Sequence, residues 1–235
     1  MRISINCQNR QIALQSGHYI LLKTTIESVA EARQRNPQAA LKPLAIFPLG
    51  SLLFPGGNLS LRIFEQRYMD MAKACLKAGE PFGICLIREG VEVGAPAVPE
   101  SIGTLATIDE WDMPQLGILQ VTVKGGLRFR ILSNEVTANG LIVAATEAIP
   151  DDASEPSEVL TVCATLLTKI YEAGGVDVRQ QPLPLDDAFW VSMRLTEMLP
   201  PDNAIKQKML ELTDATMRLE VLQRYLIEPR LVPAP

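Results

Sequence analysis

Histidine is almost missing from this chain: His18 is the only one in 235 residues. Hydrolysis by a serine or cysteine paired with histidine needs that base beside the nucleophile, and His18 lies in a basic N-terminal stretch far from any organised motif. Cysteine is scarce too. Cys7, Cys75, Cys85 and Cys163 form no C-x-x-C pair, so the four-ligand cluster of a zinc site is not supplied. With no secretory signal before them, they read as free thiols in a reducing, cytoplasmic compartment. Phosphate-binding loops are absent. No G-x-x-x-x-G-K-[ST] or G-x-G-x-x-G string occurs, and Lys23-Thr24 follows Leu22 rather than a glycine. The most apolar window, Leu44 to Phe54, is about half the ~20 residues that span a bilayer and is broken by Pro48. No metal, cofactor or membrane is expected.

What is present is ordinary globular material, 47% hydrophobic and 21% charged. That length and composition suit one large domain or two small ones. Charge is uneven. Residues 1–42 hold six Lys/Arg against two Asp/Glu, a net of +4, and residues 43–235 hold 16 against 25, a net of −9. An acidic body repels phosphate backbones and argues against nucleic acid as a partner.

Three segments follow from the pattern. Residues 1–42 are an extension in which Ile12–Thr25 suits a strand or two; a targeting peptide and a plain appendage both fit it. Residues 43–150 alternate. Leu44–Phe47 is a short strand ending at Pro48, and Asn58–Ile63 turns Leu59, Leu61 and Ile63 to one side. The spacing of Phe64, Tyr68, Met71 and Cys75 predicts a helix stopped by Gly79. Strands are expected at 82–88, 102–108, 116–124 and 127–132. Gly125-Gly126 reads as a two-residue hairpin turn, and Asn139-Gly140 as a second hairpin. Residues 151–235 read as helices, capped in turn by Ser157, by Asp186 or Asp187, by Asp202, and by Thr213 or Asp214. In the last helix Met217, Val221 and Tyr225 form the expected apolar stripe, with Leu222 and Leu226 beside it. Strands first and helices after describe an α+β chain rather than a β-α-β alternation.

Acidic clusters at Asp151-Asp152 and Asp186-Asp187 sit where helices start and read as caps. Asp109-Glu110 and Asp112 flank Trp111 near a strand end and suit a binding edge.

Taken together, the motifs resemble a known family. The run Ile46-Phe47-Pro48-Leu49, then Leu53-Phe54-Pro55-Gly56-Gly57, then Leu59-Ser60-Leu61-Arg62-Ile63-Phe64-Glu65-Gln66-Arg67-Tyr68 resembles the opening signature of Lon protease N-terminal domains. Pro81–Ile84, Ile102–Ala106 and Gly126–Ile131 resemble that family's later strands, and 199–220 its closing helices. The resemblance covers about residues 44–228. It implies a twisted β-sheet half, akin to PUA-like pseudobarrels, followed by a helical bundle, and a similarity to part of cereblon. It implies polypeptide recognition: unfolded or specific client polypeptides as partners, with a protease or chaperone beside them. A full Lon adds an ATPase and a serine–lysine protease; this chain shows neither, so a non-catalytic, stand-alone module is expected.

Within the signature, Ile63, Phe64 and Tyr68 read as core, Glu65 and Arg67 as a local pair or cap, and Pro48 and Gly56 as structural. Phe54, beside Pro55, is either a plug or an exposed anchor. Phe54, Pro55 and Trp111 are the candidate protein-binding residues. Two other functions are carried forward: a small-molecule enzyme or ligand binder, which needs a deep pocket with convergent polar groups, and an RNA binder, which needs a basic face.

Overall fold

A computed structural model describes residues 41–150, 157–176, 183–199 and 202–227. The N-terminal stretch through residue 40, with Cys7, His18 and the Ile12–Thr25 strands, lies outside the described residues, as do Asp151-Asp152, Pro200-Pro201 and Pro229.

Among the described residues, alternating apolar residues build seven strands: β1 (Leu41–Leu49), β2 (Asn58–Ile63), β3 (Phe82–Glu89), β4 (Val98–Pro99), β5 (Ile102–Gln115), β6 (Ile118–Val136) and β7 (Ile142–Ile149). They run in the order β1-β7-β6-β5-β3-β4, and a parallel β1–β3 pairing closes five of them into a ring. Closure leaves β1 and β3 no free edge there. β1 does not end at Pro48; that residue pairs with Cys85 and the strand runs on to Leu49. Helix α1 (Gln66–Ala78) follows β2. Its buried Tyr68, Met69, Met71 and Ala72 join Phe47, Phe82 and Val121 in one apolar cluster. Gly79, in the left-handed region at φ 65°, ends it as expected.

The largest departure from expectation is β6. Gly125-Gly126 makes no turn. The strand runs 19 residues through them, and the hairpin lies at Leu116-Gly117, where Gln115 pairs with Ile118 and Gly117 has φ 84°. The glycines mark a change of neighbour. Before them β6 pairs with β2, from Ile63↔Leu119 to Asn58↔Lys124; after them it pairs with β7, from Arg128↔Ile149 onward. At the change point the backbone of the 54–57 loop takes over. Gly125 N–H donates to Gly57 O at 2.8 Å, and Gly56 N–H donates to Gly125 O at 2.8 Å. A Cβ on Gly125 would stand 2.1 Å from Phe54 O. The Asn139-Gly140 hairpin joins β6 to β7 as expected.

The helices are α2 (Glu158–Ala173), α3 (Ala188–Met198), α4 (Asn203–Glu211) and α5 (Ala215–Ile227). Ser157, Asp187, Asp202 and Asp214 each accept a bond from a first-turn amide, as their spacing predicts; each such cap contributes about 1 kcal/mol. α3 is the central helix, buried from Ala188 to Thr196 apart from a partly exposed Trp190. Leu160, Cys163, Leu167, Leu219 and Leu222 surround it, and Phe54, Ile102 and Ile149 of the β half enter the same cluster. In α5 the inward face is Ala215, Leu219 and Leu222. Met217 and Val221, expected inside, are 50% and 39% exposed. Buried Arg218 sets that rotation: its Nε donates to Met209 O at 2.9 Å and its Nη1 to Ser192 Oγ at 2.8 Å.

Arg128 on β6 performs a similar role between the halves. Its Nη1 donates to Leu210 O at 2.8 Å and to Leu212 O at 2.7 Å. Both arginines therefore hold carbonyls at the C-terminal end of α4, where the helix dipole favours cations. The ring of Phe189 lies between them, 5.2 Å from the Arg128 guanidinium and 5.4 Å from that of Arg218. Among the described residues no helix is long and apolar enough to cross a membrane.

Candidate functional site

The two aromatic candidates part company in the structure. Phe54 is 2% exposed and Pro55 is buried. The exposed-anchor reading of this loop is therefore corrected: Phe54 is the plug. Phe54-Pro55-Gly56-Gly57 closes a tight turn, with Gly57 N–H donating to Phe54 O at 2.9 Å and Gly56 at φ 71°. Proline second and a positive-φ glycine third is type II chemistry. Gly125 holds one side of the turn. Arg194 of α3 holds the other, its Nη2 donating to Pro55 O at 2.7 Å while its Nη1 meets Glu197 at 2.6 Å. The loop is a joint between sheet and helices.

The rest of the signature is mostly structural as well. Arg67 is buried, pairs with Glu65 at 2.9 Å, and donates to Gly140 O and Gly94 O, each at 2.9 Å. It thereby ties two loops to the start of α1. Tyr68 stacks on Phe47 with ring centroids 4.1 Å apart, and burial raises its pKa above the usual tyrosine value against the opposing pull of Arg67. Phe64 is the exception. Expected in the core, it is 43% exposed. The helix starts only at Gln66, after the N-cap Glu65, so Phe64 continues the β2 alternation, in which Ile63 takes the inward place.

Trp111 is 60% exposed. It stands on a three-stranded arm made of β2, the first half of β6 and the second half of β5. The register puts Leu61, Val121 and Trp111 in one row, and Arg62, Gln120 and Asp112 in the next. Residues directly opposite share a face, so Trp111 lies on the same side as buried Leu61 and Val121, at the rim where the core stops covering that side. Met113 and Leu116 are 40% and 95% exposed farther along the arm. Phe64 follows Ile63, which pairs with Leu119 near the hairpin, so it comes to the same end of the arm. An open depression of about 440 Å³ lies among Arg62, Glu110, Trp111, Asp112, Gln120 and neighbouring arm residues. Leu116 and Met113 are not among the residues picked from sequence, and Phe64 reads there as core. The signal for them is Gly117, a lone glycine that makes the turn, whereas the Gly125-Gly126 doublet is the stronger turn signature by composition.

Three cysteines lie among the described residues. Cys75, Cys85 and Cys163 are free. Burial pushes the Cys163 thiol up to about 11 and raises Cys85 further, with Glu100 adding to burial there. Burial and then Glu80 raise Cys75. Protonated thiols are poor nucleophiles. Among the described residues no group of three or more His, Cys, Asp or Glu is placed to hold a metal ion. A second open depression, of about 430 Å³, runs along α2 between Ser157, Thr161, Thr168 and Leu185.

Comparison with known proteins agrees with the geometry. The family model for the ATP-dependent protease La (LON) substrate-binding domain matches residues 43–228. A Lon protease of Xanthomonas oryzae pv. oryzae is 24% identical over 216 residues, which are 88% of this chain and 25% of that protein; the chain thus spans a quarter of its length. A crystal structure of a Lon N-terminal domain protein from Xanthomonas campestris superposes with a TM-score of 0.66 at 33% identity, covering 79% of this chain and 99% of that one. The N-terminal domain of the Mycobacterium avium complex Lon protease shares the fold, with a TM-score of 0.59 at 18% identity over 78% of this chain and 97% of that one. The chain belongs to the Lon substrate-binding domain family.

Proposed function

We propose that this chain is a non-catalytic module that binds client polypeptides through the β5–β6 arm. The observation that carries the reading is Trp111, an aromatic 60% exposed at the rim of the core, with exposed Met113 and Leu116 farther along the same arm. A large aromatic left open on rigid strands suits an interface anchor, where truncation typically costs ~2 kcal/mol or more. Family membership supports the ligand class, since the matched family is a substrate-binding domain. Unfolded segments are the clients this surface suits best, because their apolar side chains are free to meet Trp111 and Leu116.

The test is fluorescence anisotropy of labelled, unfolded casein titrated with the full chain. Trp111→Ala is expected to weaken binding about tenfold, equal to ~1.4 kcal/mol. Unchanged affinity in that variant removes the arm from the site. No binding by the parent chain contradicts the polypeptide-binding reading itself.

A further inference from the structure

β5 is paired on both sides only in its first part. Thr104, Leu105 and Ala106 pair with Ile84, Gly83 and Phe82 of β3, and the same stretch pairs with β6. From Thr107 onward, among the described residues, β5 pairs with β6 alone. Among the described residues the outer edge of Thr107–Asp112 therefore has no strand partner for its backbone N–H and C=O groups. All of these residues are exposed except half-buried Ile108. A register shift between Ile108 and Glu110 bulges the strand at Asp109 within this edge, and beyond Asp112 a further shift before Gln115 and Pro114, which has no N–H to give, end it.

Such an edge pairs with whatever strand meets it, including a second copy of itself. Here it carries Asp109, Glu110 and Asp112 in four residues with no cation among them. The nearest cations in register are Lys124, opposite Thr107 at the inner end, and Arg62, two strands away across Gln120. Two such edges brought together repel, because like charges facing across a strand pair are destabilising. A basic strand is attracted by the same charges. Pairing through the backbone is sequence-tolerant, as a client binder requires, while side chains at alternate positions provide selectivity.

Building on the polypeptide-binding reading above, we propose that the Thr107–Asp112 edge of β5 takes up an extended, Lys/Arg-bearing polypeptide segment by strand addition, with Trp111 beside it as the apolar contact. The occupant is a basic client strand, not a second copy of this chain.

The experiment uses the full chain and four labelled ten-residue peptides: one alternating Lys with Val, its Glu counterpart, and two forms of the Lys peptide N-methylated at every second residue in one register or the other, so that each backbone edge in turn loses its donors. Anisotropy is expected to show binding of the Lys peptide at low salt, at least tenfold weaker binding of the Glu peptide, and loss on N-methylation along the pairing edge. The triple variant Asp109→Asn, Glu110→Gln, Asp112→Asn, checked for an unchanged melting temperature, is expected to weaken the Lys peptide by tenfold or more. Equal binding of the basic and acidic peptides, indifference to N-methylation along either edge, or a dimer that buries β5 in sedimentation each overturns the proposal. Casein binding separates the two readings. If casein still binds and responds to Trp111→Ala while the Lys peptide does not bind, the edge proposal falls and polypeptide binding stands; if neither ligand binds, both fall.

Discussion

The Phe54–Gly57 loop and the β5–β6 arm begin from similar sequence, a large aromatic near proline and acidic or glycine neighbours, and reach opposite ends of the burial scale. Phe54 is 2% exposed and Trp111 60%. Local composition does not separate them. The difference lies in what meets the backbone on each side. The loop is held by Gly125 of β6 and by Arg194 of α3, which lie far away in sequence. Among the described residues the outer part of β5 pairs with β6 alone. A turn clamped from two sides becomes a joint, and a strand clamped from one side stays a surface.

Substitutions sharpen that contrast, beginning with the joint. Phe54→Ala empties a site shared by sheet and helices and is expected to cost ~3–5 kcal/mol. For a chain of this size that lowers Tm by roughly 6–20 °C, read by calorimetry. A loss below about 1 kcal/mol would show that Phe54 does not plug the joint. Gly125→Ala forces a methyl group against Phe54 O, 2.1 Å from the ideal Cβ position, and is expected to cost ~1–3 kcal/mol. Gly126→Ala, whose nearest neighbours are 3.6 Å away, provides the control. If Gly125-Gly126 were a hairpin turn, the two changes would have similar effects.

A smaller effect comes from alkaline pH. The buried Cys163 thiol is held up to about 11 from an ordinary 9.0, and Cys85 is raised further. Both stay protonated in the folded chain while the unfolded chain ionises them. Stability is therefore full below about pH 9 and falls as pH rises toward 11. The double change Cys85→Ala, Cys163→Ala should flatten the decline in Tm between about pH 8 and about pH 10.5, whatever it does to Tm at neutral pH. An equally steep decline would place its source elsewhere. Smallest of all, Trp111→Ala should leave stability within about 0.5 kcal/mol, as expected of a surface site. A larger loss would make Trp111 a packing residue and narrow the difference between the arm and the joint.

Features set by neighbours a few residues apart were legible in the sequence. The caps at Ser157, Asp187, Asp202 and Asp214, the stop at Gly79 and the turn at Asn139-Gly140 depend on local geometry, and the structure has them where the residues point. Features set by distant partners were not. Gly125-Gly126 reads as a turn until the 54–57 backbone is seen against it. The apolar spacing of α5 points to Met217 and Val221, but buried Arg218, bound to Met209 O and Ser192 Oγ, fixes the inward face instead. Phe64 was assigned to a helix that starts two residues later. Of the candidate site, the exposure of Trp111 was legible from its acidic flanks, whereas the free edge of β5 depends on where β3 stops pairing and leaves no local trace.

Hydrogen exchange on the full chain, with and without saturating unfolded casein, tests the central claim most directly. Slow exchange reports backbone groups newly held in hydrogen bonds. Casein is expected to slow exchange across Thr107–Asp112 and to leave Phe54–Gly57 unchanged. Protection confined to the 54–57 joint or to the Met217 and Val221 face of α5, with the arm exchanging as in the free chain, would contradict it.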